Sequence, residues 1–330
     1  MLIQYQVQAA SSKGGYREIF AWSLELRACS WLDFAGRDAI LSENPQAKIL
    51  PGKDLVPATS RLITLTTDFG TSEHYVGVIK GVILSINPAA QIVDICNSVH
   101  SYDLLDGALT IAQSYPYFPN NTVHMVVVDP SVGTARRPII ASAGKNIFLA
   151  PDNGVLSLVY DHEEAISVRH VTAEHYFLQP LSNTFHGRDV FAAIAGWLSK
   201  GVEVSKFGDE ITDFVRFAAP KPKVVSENLI KGIVIKVDKF GNLITNLTPN
   251  DVPQLFAEKP QPFKILIGKT EITRLRTAYA QGMSGEVFAV LGSMGFLELA
   301  TNRGSAHHTV GADKGTEVGV VFENAASASS

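Results

Sequence analysis

The chain has 330 residues, enough for two domains with cores of their own, and its 46% hydrophobic and 18% charged content is globular, which excludes a disordered chain. A net charge of −4 lacks the basic footprint of a nucleic-acid binder. Two cysteines, Cys29 and Cys96, are too few for a disulfide scaffold or a Cys-based zinc site and fit a reducing, cytoplasmic setting.

Residues 1–60 lack a sustained period and contain Ser11-Ser12-Lys13-Gly14-Gly15 and a polar stretch at 42–60. They read as a poorly ordered extension outside the folded unit, with a short helix around 19–27 as the alternative. The stretch 19–31 is interrupted by Glu25 and Arg27, so no secretory apolar region is predicted, and no apolar run approaches a membrane span.

Pattern begins at Leu62. Residues 62–67 (Leu-Ile-Thr-Leu-Thr-Thr) form a β-rich run ending at Asp68-Phe69-Gly70. Tyr75, Ile79, Val82, Ile83 and Ile86 then share one helical face, stopped by Pro88. Residues 91–96 read as a second strand. Leu104, Leu105, Ala108, Ile111, Ala112 and Tyr115 form a second helical stripe, and 123–128 a third strand, ending at Asp129-Pro130. A hairpin is predicted at 139–143 and 146–150 about Gly144, and a last helix at about 189–200. Strands alternating with helices predict an α/β domain over 61–220 with a largely parallel sheet.

Residues 218–223 (Ala-Ala-Pro-Lys-Pro-Lys) read as a linker. Beyond it the period changes to two, with strand candidates at 230–237, 243–247, 263–267, 287–291, 296–300 and 318–322. These predict a smaller β-rich, barrel-like domain over 228–323, followed by a frayed tail at 324–330. No internal repeat is present.

Asp68 and Asp129 each follow a strand. In open α/β sheets ligands bind beyond the carboxyl ends of strands, where a carboxylate can hold ribose hydroxyls or orient a water. An Asp before Phe-Gly or Pro also shapes a turn, and position alone leaves both readings open. In the segment 129–137 (Asp-Pro-Ser-Val-Gly-Thr-Ala-Arg-Arg), Arg136 can fold back on Asp129 and keep it ionised; a solvated surface loop is the alternative. His186, in Thr184-Phe185-His186-Gly187-Arg188-Asp189, gains meaning only if it meets Asp129, since a carboxylate–His pair can polarise water. His307 and His308 are adjacent and in the other domain, so a metal site is not expected. Asp238-Lys239-Phe240-Gly241-Asn242 is a turn between strands, and Phe240 and Tyr279 are aromatic faces on which a base could stack or which could serve the core. There is no Walker loop, dinucleotide fingerprint or Gly-x-Ser-x-Gly elbow.

Taken in order, 67–70 (Thr-Asp-Phe-Gly), 129–137, 150–154 (Ala-Pro-Asp-Asn-Gly), 184–189 and 238–242 with Thr245-Asn246 closely resemble the S-adenosylmethionine (SAM) hydrolases, or SAM hydroxide adenosyltransferases, relatives of the SAM-dependent fluorinase and chlorinase. The resemblance covers about residues 61–323. It implies hydrolysis of SAM to adenosine and L-methionine without metal or further cofactor. It also implies a homotrimer whose sites lie between the first domain of one subunit and the second of its neighbour. Asp129, Arg136 and His186 would surround the attacking water, and Asp68 would hold the ribose. Asp238 and Ser293 would hold the methionine end and Asn242 the adenine. Tyr102, Phe240 and Tyr279 would form apolar walls, with Glu298 a further ligand candidate. The halogenases of this resemblance carry Tyr, Thr, Tyr and Ser at the positions of Asp129, Val132, His186 and Gly187, and a long insertion where 137–150 is short here. These differences favour water over halide. A halogenase-like enzyme and a non-catalytic SAM or adenosine sensor are the alternatives.

Overall fold

The computed structural model describes residues 61–323; the expected extension at 1–60, its alternative helix and the tail at 324–330 lie outside the described residues. The run after Leu62 becomes β1 (Ile63–Thr67), buried along its whole length because strands flank it on both sides. The remaining strands of this sheet are β2 (Ile92–Cys96), β3 (Val123–Val127), β4 (Pro138–Ala143), β5 (Asn146–Pro151), β6 (Ile166–His170) and β7 (Glu210–Ile211).

The seven strands lie in the order β2-β1-β3-β5-β4-β6-β7. Pairing is parallel across β2, β1, β3 and β5, then antiparallel from β5 to β4, β4 to β6 and β6 to β7. Thus β1, β2, β3, β5 and β6 share one direction, as the alternating pattern predicted. Helices α1 (Tyr75–Ile86) and α2 (Leu104–Ser114) are the first two of the three helices predicted for this domain. α1 buries Ile79 and Ile83, and Asp103 caps α2 by accepting from the Asp106 N–H at 3.0 Å. The short α3 (Ser157–His162), β6 and β7 carry too little periodicity to be read in advance. The last helix of this domain begins as one turn of π-helix (Gly187–Ala192) before continuing as α4 (Ala193–Ser199).

The second sheet contains β8 (Lys223–Ser226), β9 (Leu229–Val237), β10 (Leu243–Thr245), β11 (Phe263–Ile267), β12 (Thr270–Ile272), β13 (Leu275–Arg276), β14 (Val287–Leu291), β15 (Leu297–Thr301) and β16 (Glu317–Phe322). It is a curled half-barrel of order β12-β11-β16-β9-β10-β15-β14-β13, with β8 on β9. Helix α5 (Ala306–Val310) closes the run, capped by Ser305. The two sheets meet through α2. Asp106 pairs with Lys236 at 2.5 Å, Asp103 pairs with Lys314, and Leu109 packs with Ile235 and Ile244.

His124, in the middle of β3, has no exposed surface. Its ring stacks on Phe148, with centroids 5.0 Å apart, and its Nδ1 meets Thr64 Oγ1 at 2.7 Å. Burial disfavours the imidazolium and pushes the His124 pKa down to about 3. A depressed histidine contributes stability that is complete above its unfolded pKa of 6.5 and is lost as pH falls towards 3. Replacing His124 by Phe is expected to flatten the fall of unfolding free energy between those limits, by at most one proton's worth, about 1.4 kcal/mol per pH unit. Urea unfolding at stepped pH checks this; an unchanged slope would show that His124 is not an acid-sensitive group.

Candidate active site

Three neighbouring parallel strands end in aspartate: Asp68 follows β1, Asp129 follows the end of β3 and Asp152 follows β5. β5 lies between β3 and β4, so the segment 129–137 must cross the exit of β5 to reach Pro138. At its two feet stand the groups that give this edge its chemistry.

Arg136 folds back on Asp129, with Nε donating to Oδ2 at 2.8 Å and Nη2 lying 2.5 Å from the same oxygen. Both side chains are almost fully buried, at 6% and 5% exposure, so the pair is far less screened than a surface salt bridge. The other carboxylate oxygen, Oδ1, accepts from the Ser131 hydroxyl at 3.4 Å and has no second hydrogen bond among the described residues. Arg136 Nη2 also reaches His186 Nδ1 at 2.8 Å, and its guanidinium lies 5.4 Å from the centre of the Phe191 ring. A guanidinium only donates, so Nδ1 of His186 accepts, and the ring is neutral with its proton on Nε2. Burial lowers the His186 pKa, and the charge of Arg136 lowers it further, against opposing contributions from Asp129 and Asp189. The sequence left open whether these three residues meet; here they form one chain, Asp129–Arg136–His186.

His186 stands immediately before the π turn. Gly187 is buried, and a side chain there would press on the Phe69 ring, 3.0 Å from an added Cβ. Phe69, Tyr75 and Phe185 pack mutually, with centroids 5.3 to 5.9 Å apart. Asp189, fully buried, accepts from Arg188 and from the Ser182 N–H at 2.7 Å, which pins the turn that leads into His186.

Among the described residues no arginine pairs with Asp68. Its Oδ2 accepts from the Tyr102 N–H at 2.9 Å, and Tyr102 holds a left-handed conformation, φ 66°, with its ring 72% exposed. Burial raises the Asp68 pKa, the Tyr102 amide pulls it down, and nearby Asp129 pushes it up. Asp68 is therefore a carboxylate with acceptor capacity to spare, beside a second negative charge.

A second group lies on the curled sheet. Asp238 Oδ1 accepts from the N–H groups of Phe240 and Asn242, and Oδ2 accepts from Asn242 Nδ2 at 2.9 Å. This is a self-satisfied Asx turn that lifts the Phe240 ring into solvent, 75% exposed. Tyr279 donates through its hydroxyl to Glu298 Oε2 at 2.8 Å. Glu298 is buried on β15, and burial first, then Asp238, raises its pKa, against the Tyr279 hydrogen bond. Ser293 is exposed in the turn between β14 and β15. Among the described residues no hydrogen bond or ion pair joins the Asp238 group to the Asp129 group. Cavities of about 330 and 200 Å³ lie at Lys221–Lys231 and at Asp106–Lys236, and no residue of either group lines them. No cluster of three or more metal-ligating side chains occurs among the described residues.

Two family models match in succession: the SAM hydroxide adenosyltransferase N-terminal domain over residues 63–208 and the C-terminal domain over 232–319. The chain belongs to the SAM hydroxide adenosyltransferase family. Relatives in this family include proteins named (R)-S-adenosyl-L-methionine hydrolase from Thermus thermophilus, 32% identical over 78% of this chain and 98% of the relative, and from Methanocaldococcus jannaschii, 36% identical over 58% and 68%. A protein named fluorinase from Actinoplanes sp. is 27% identical over 73% of this chain and 91% of its own. The crystal structure of an uncharacterized conserved protein from Thermotoga maritima superposes with a TM-score of 0.73 at 33% identity, covering 78% of this chain and 99% of that one. The N-terminal family model spans the Asp129 group, and the C-terminal model spans the Asp238 group.

Gly133 sits at the crown of the 129–137 loop with φ +79°, and a Cβ there would lie 2.3 Å from the Asn183 carbonyl oxygen, on the approach to His186. Gly133→Ala is expected to cost about 1–3 kcal/mol in left-handed strain alone and to separate the two loops. Thermal unfolding checks the first effect; an unchanged melting temperature would mean that the loops do not touch as described.

Proposed function

We propose that this chain hydrolyses S-adenosyl-L-methionine to adenosine and L-methionine. The observation that carries the reading is the buried Asp129–Arg136–His186 chain at the strand exits, in a family whose relatives include named SAM hydrolases at 31–36% identity and fluorinases at 25–27%. Arg136 holds Asp129 through Oδ2, which leaves Oδ1 as the acceptor for a proton of the attacking water. His186 offers Nε2–H to the water oxygen and orients it; with Nδ1 occupied by Arg136, it is a donor and not the base. The water oxygen forms its bond to ribose C5′ as the C5′–S bond breaks. The electron pair goes to sulfur, giving a neutral thioether, and the proton passes to Asp129 and then to solvent. No general acid is needed, so rate comes from in-line positioning and polarisation. A halide would meet an ionised Asp129 and be repelled.

Asp68 receives the ribose hydroxyls, its free acceptor capacity being suited to two O–H donors. Asp238, Ser293 and Glu298 take the methionine end, Asn242 the adenine, and Tyr102, Phe240 and Tyr279 flank the ligand with exposed aromatic faces. The separation of the two groups within one subunit supports a homotrimer in which each site joins halves from neighbouring subunits.

In oxygen-18 water with excess chloride, the product is expected to be adenosine labelled at the 5′ oxygen together with free methionine. A 5′-chloro product would move the chain to the halogenase reading, and binding without turnover would make it a sensor. Asp129→Ala and His186→Ala should lower kcat with little change in substrate Kd, whereas Asp68→Ala should weaken binding by about 1.5–3 kcal/mol. Turnover should also fall on acidification: the depressed His186 pKa keeps the ring neutral until below the ordinary histidine range, where protonation breaks its acceptance from Arg136. A kcat that keeps rising through that range would remove His186 from the mechanism.

Shared sites have their own test. Asp129→Ala and Asp238→Ala subunits, each inactive alone, should regain part of the activity when dissociated and reassembled together, since some sites then combine two intact halves. No recovery in verified mixed oligomers would place each site within one subunit.

A further inference from the structure

The motif at 150–154 takes no part in the chemistry above, yet it touches both feet of the loop that carries it. Asn153 Nδ2 donates to the Val128 carbonyl at 2.8 Å, one residue before Asp129. Its Oδ1 accepts from the Val155 N–H at 3.1 Å, which holds the side chain in its own turn. At the other foot, Asp152 Oδ2 accepts from Arg137 Nε at 2.9 Å and Nη2 at 2.6 Å, and the Asp152 N–H donates to the Arg137 carbonyl at 2.8 Å, one residue after Arg136. The Asp152 side chain is 2% exposed, and its Oδ1 is taken by the Val215 N–H. These contacts follow from topology: β5 lies between β3 and β4, so its exit is the one place from which both ends of the 129–137 crossover can be reached.

Resting on the hydrolase reading, we propose that Asp152 and Asn153 are positioning residues for water activation. They clamp the feet of the crossover loop at the separation that lets Arg136 meet Asp129 Oδ2 and His186 Nδ1 together. Without the clamp, Val128 and Arg137 shift independently, and the three-residue chain loses register while the substrate-binding groups Asp68 and Asp238 stay in place. Neither clamp residue touches substrate; both act through Asp129 and Arg136.

The test uses the full chain with Asn153→Ser, Asp152→Asn, Asp152→Glu and Asp213→Ala. In Asn153→Ser the hydroxyl still offers an acceptor to the Val155 N–H but is too short to reach Val128. Asp213 is Arg137's exposed partner, at 2.8 Å, so its loss spares the clamp. Expected are a tenfold or greater fall in kcat for Asn153→Ser and Asp152→Asn with Kd for S-adenosylmethionine within twofold of the parent, partial recovery in Asp152→Glu, and parental kinetics in Asp213→Ala. A second readout needs no turnover: the His186 ring titration by proton NMR. The two clamp variants should raise its midpoint towards the ordinary histidine value as Arg136 withdraws, with Asp213→Ala unmoved. Parental kcat and an unmoved His186 midpoint in a folded Asn153→Ser would overturn the proposal, as would a rise in Kd matching the fall in kcat. Should Asp152→Asn fail to fold, Asn153→Ser alone decides. If the parent does not hydrolyse the substrate, the hydrolase reading fails, whereas the NMR titration still tests the clamp.

Discussion

The arrangement depends on two adjacent arginines that take opposite partners. Arg136 turns inward to Asp129 at the end of β3, and Arg137 turns to Asp152 at the end of β5. Each pair is a guanidinium on a nearly inaccessible carboxylate, so each is strong only while its geometry holds, and breaking one strands a buried charge. Together they require the crossover loop to enter and leave at set points above the sheet. The left-handed Gly133 then lets the crown of the loop come close to Asn183, three residues before His186. The position of the histidine is thus a consequence of how two ion pairs divide between two strands.

The third aspartate of the row is the exception. Among the described residues Asp68 pairs with no cation; it accepts the amide of a strained Tyr102 and feels the negative charge of Asp129. A folded protein gains little by leaving a half-buried acid in that state, and Tyr102 carries backbone strain to do so. Both make sense at a surface prepared for a ligand with hydroxyl donors. The curled sheet offers a different character: Asp238 is satisfied by its own turn, and a buried Glu298 accepts a hydrogen bond from the Tyr279 hydroxyl.

Regular elements were largely legible in the sequence because they answer to local rules. The strands at 263–267 and 287–291 have the bounds read from period-two alternation, and α1 runs from Tyr75 to Ile86 as its apolar stripe required. Short pieces were not legible: β6, β7, β12 and β13 owe their existence to a neighbouring strand, and α3 is too brief for a stripe to emerge. The π turn at Gly187–Ala192 reads in sequence as the approach to an ordinary helix, since a one-residue widening of the ladder leaves no mark on hydrophobic spacing.

What the sequence by itself determined was the α/β pattern followed by a β-rich region, the family, and the residue types that bear charge at strand ends. Those follow from periodicity and from motifs in order. What only the tertiary structure decided was partnership. Arg136 and Arg137 are indistinguishable neighbours in the chain, and nothing local says that one belongs to Asp129 and the other to Asp152. Strand order decides it, because β5 inserts between β3 and β4 and brings Asp152 and Asn153 beneath the loop. The tautomer of His186 likewise follows from a contact fifty residues distant, since a donor that cannot accept dictates which ring nitrogen keeps the proton.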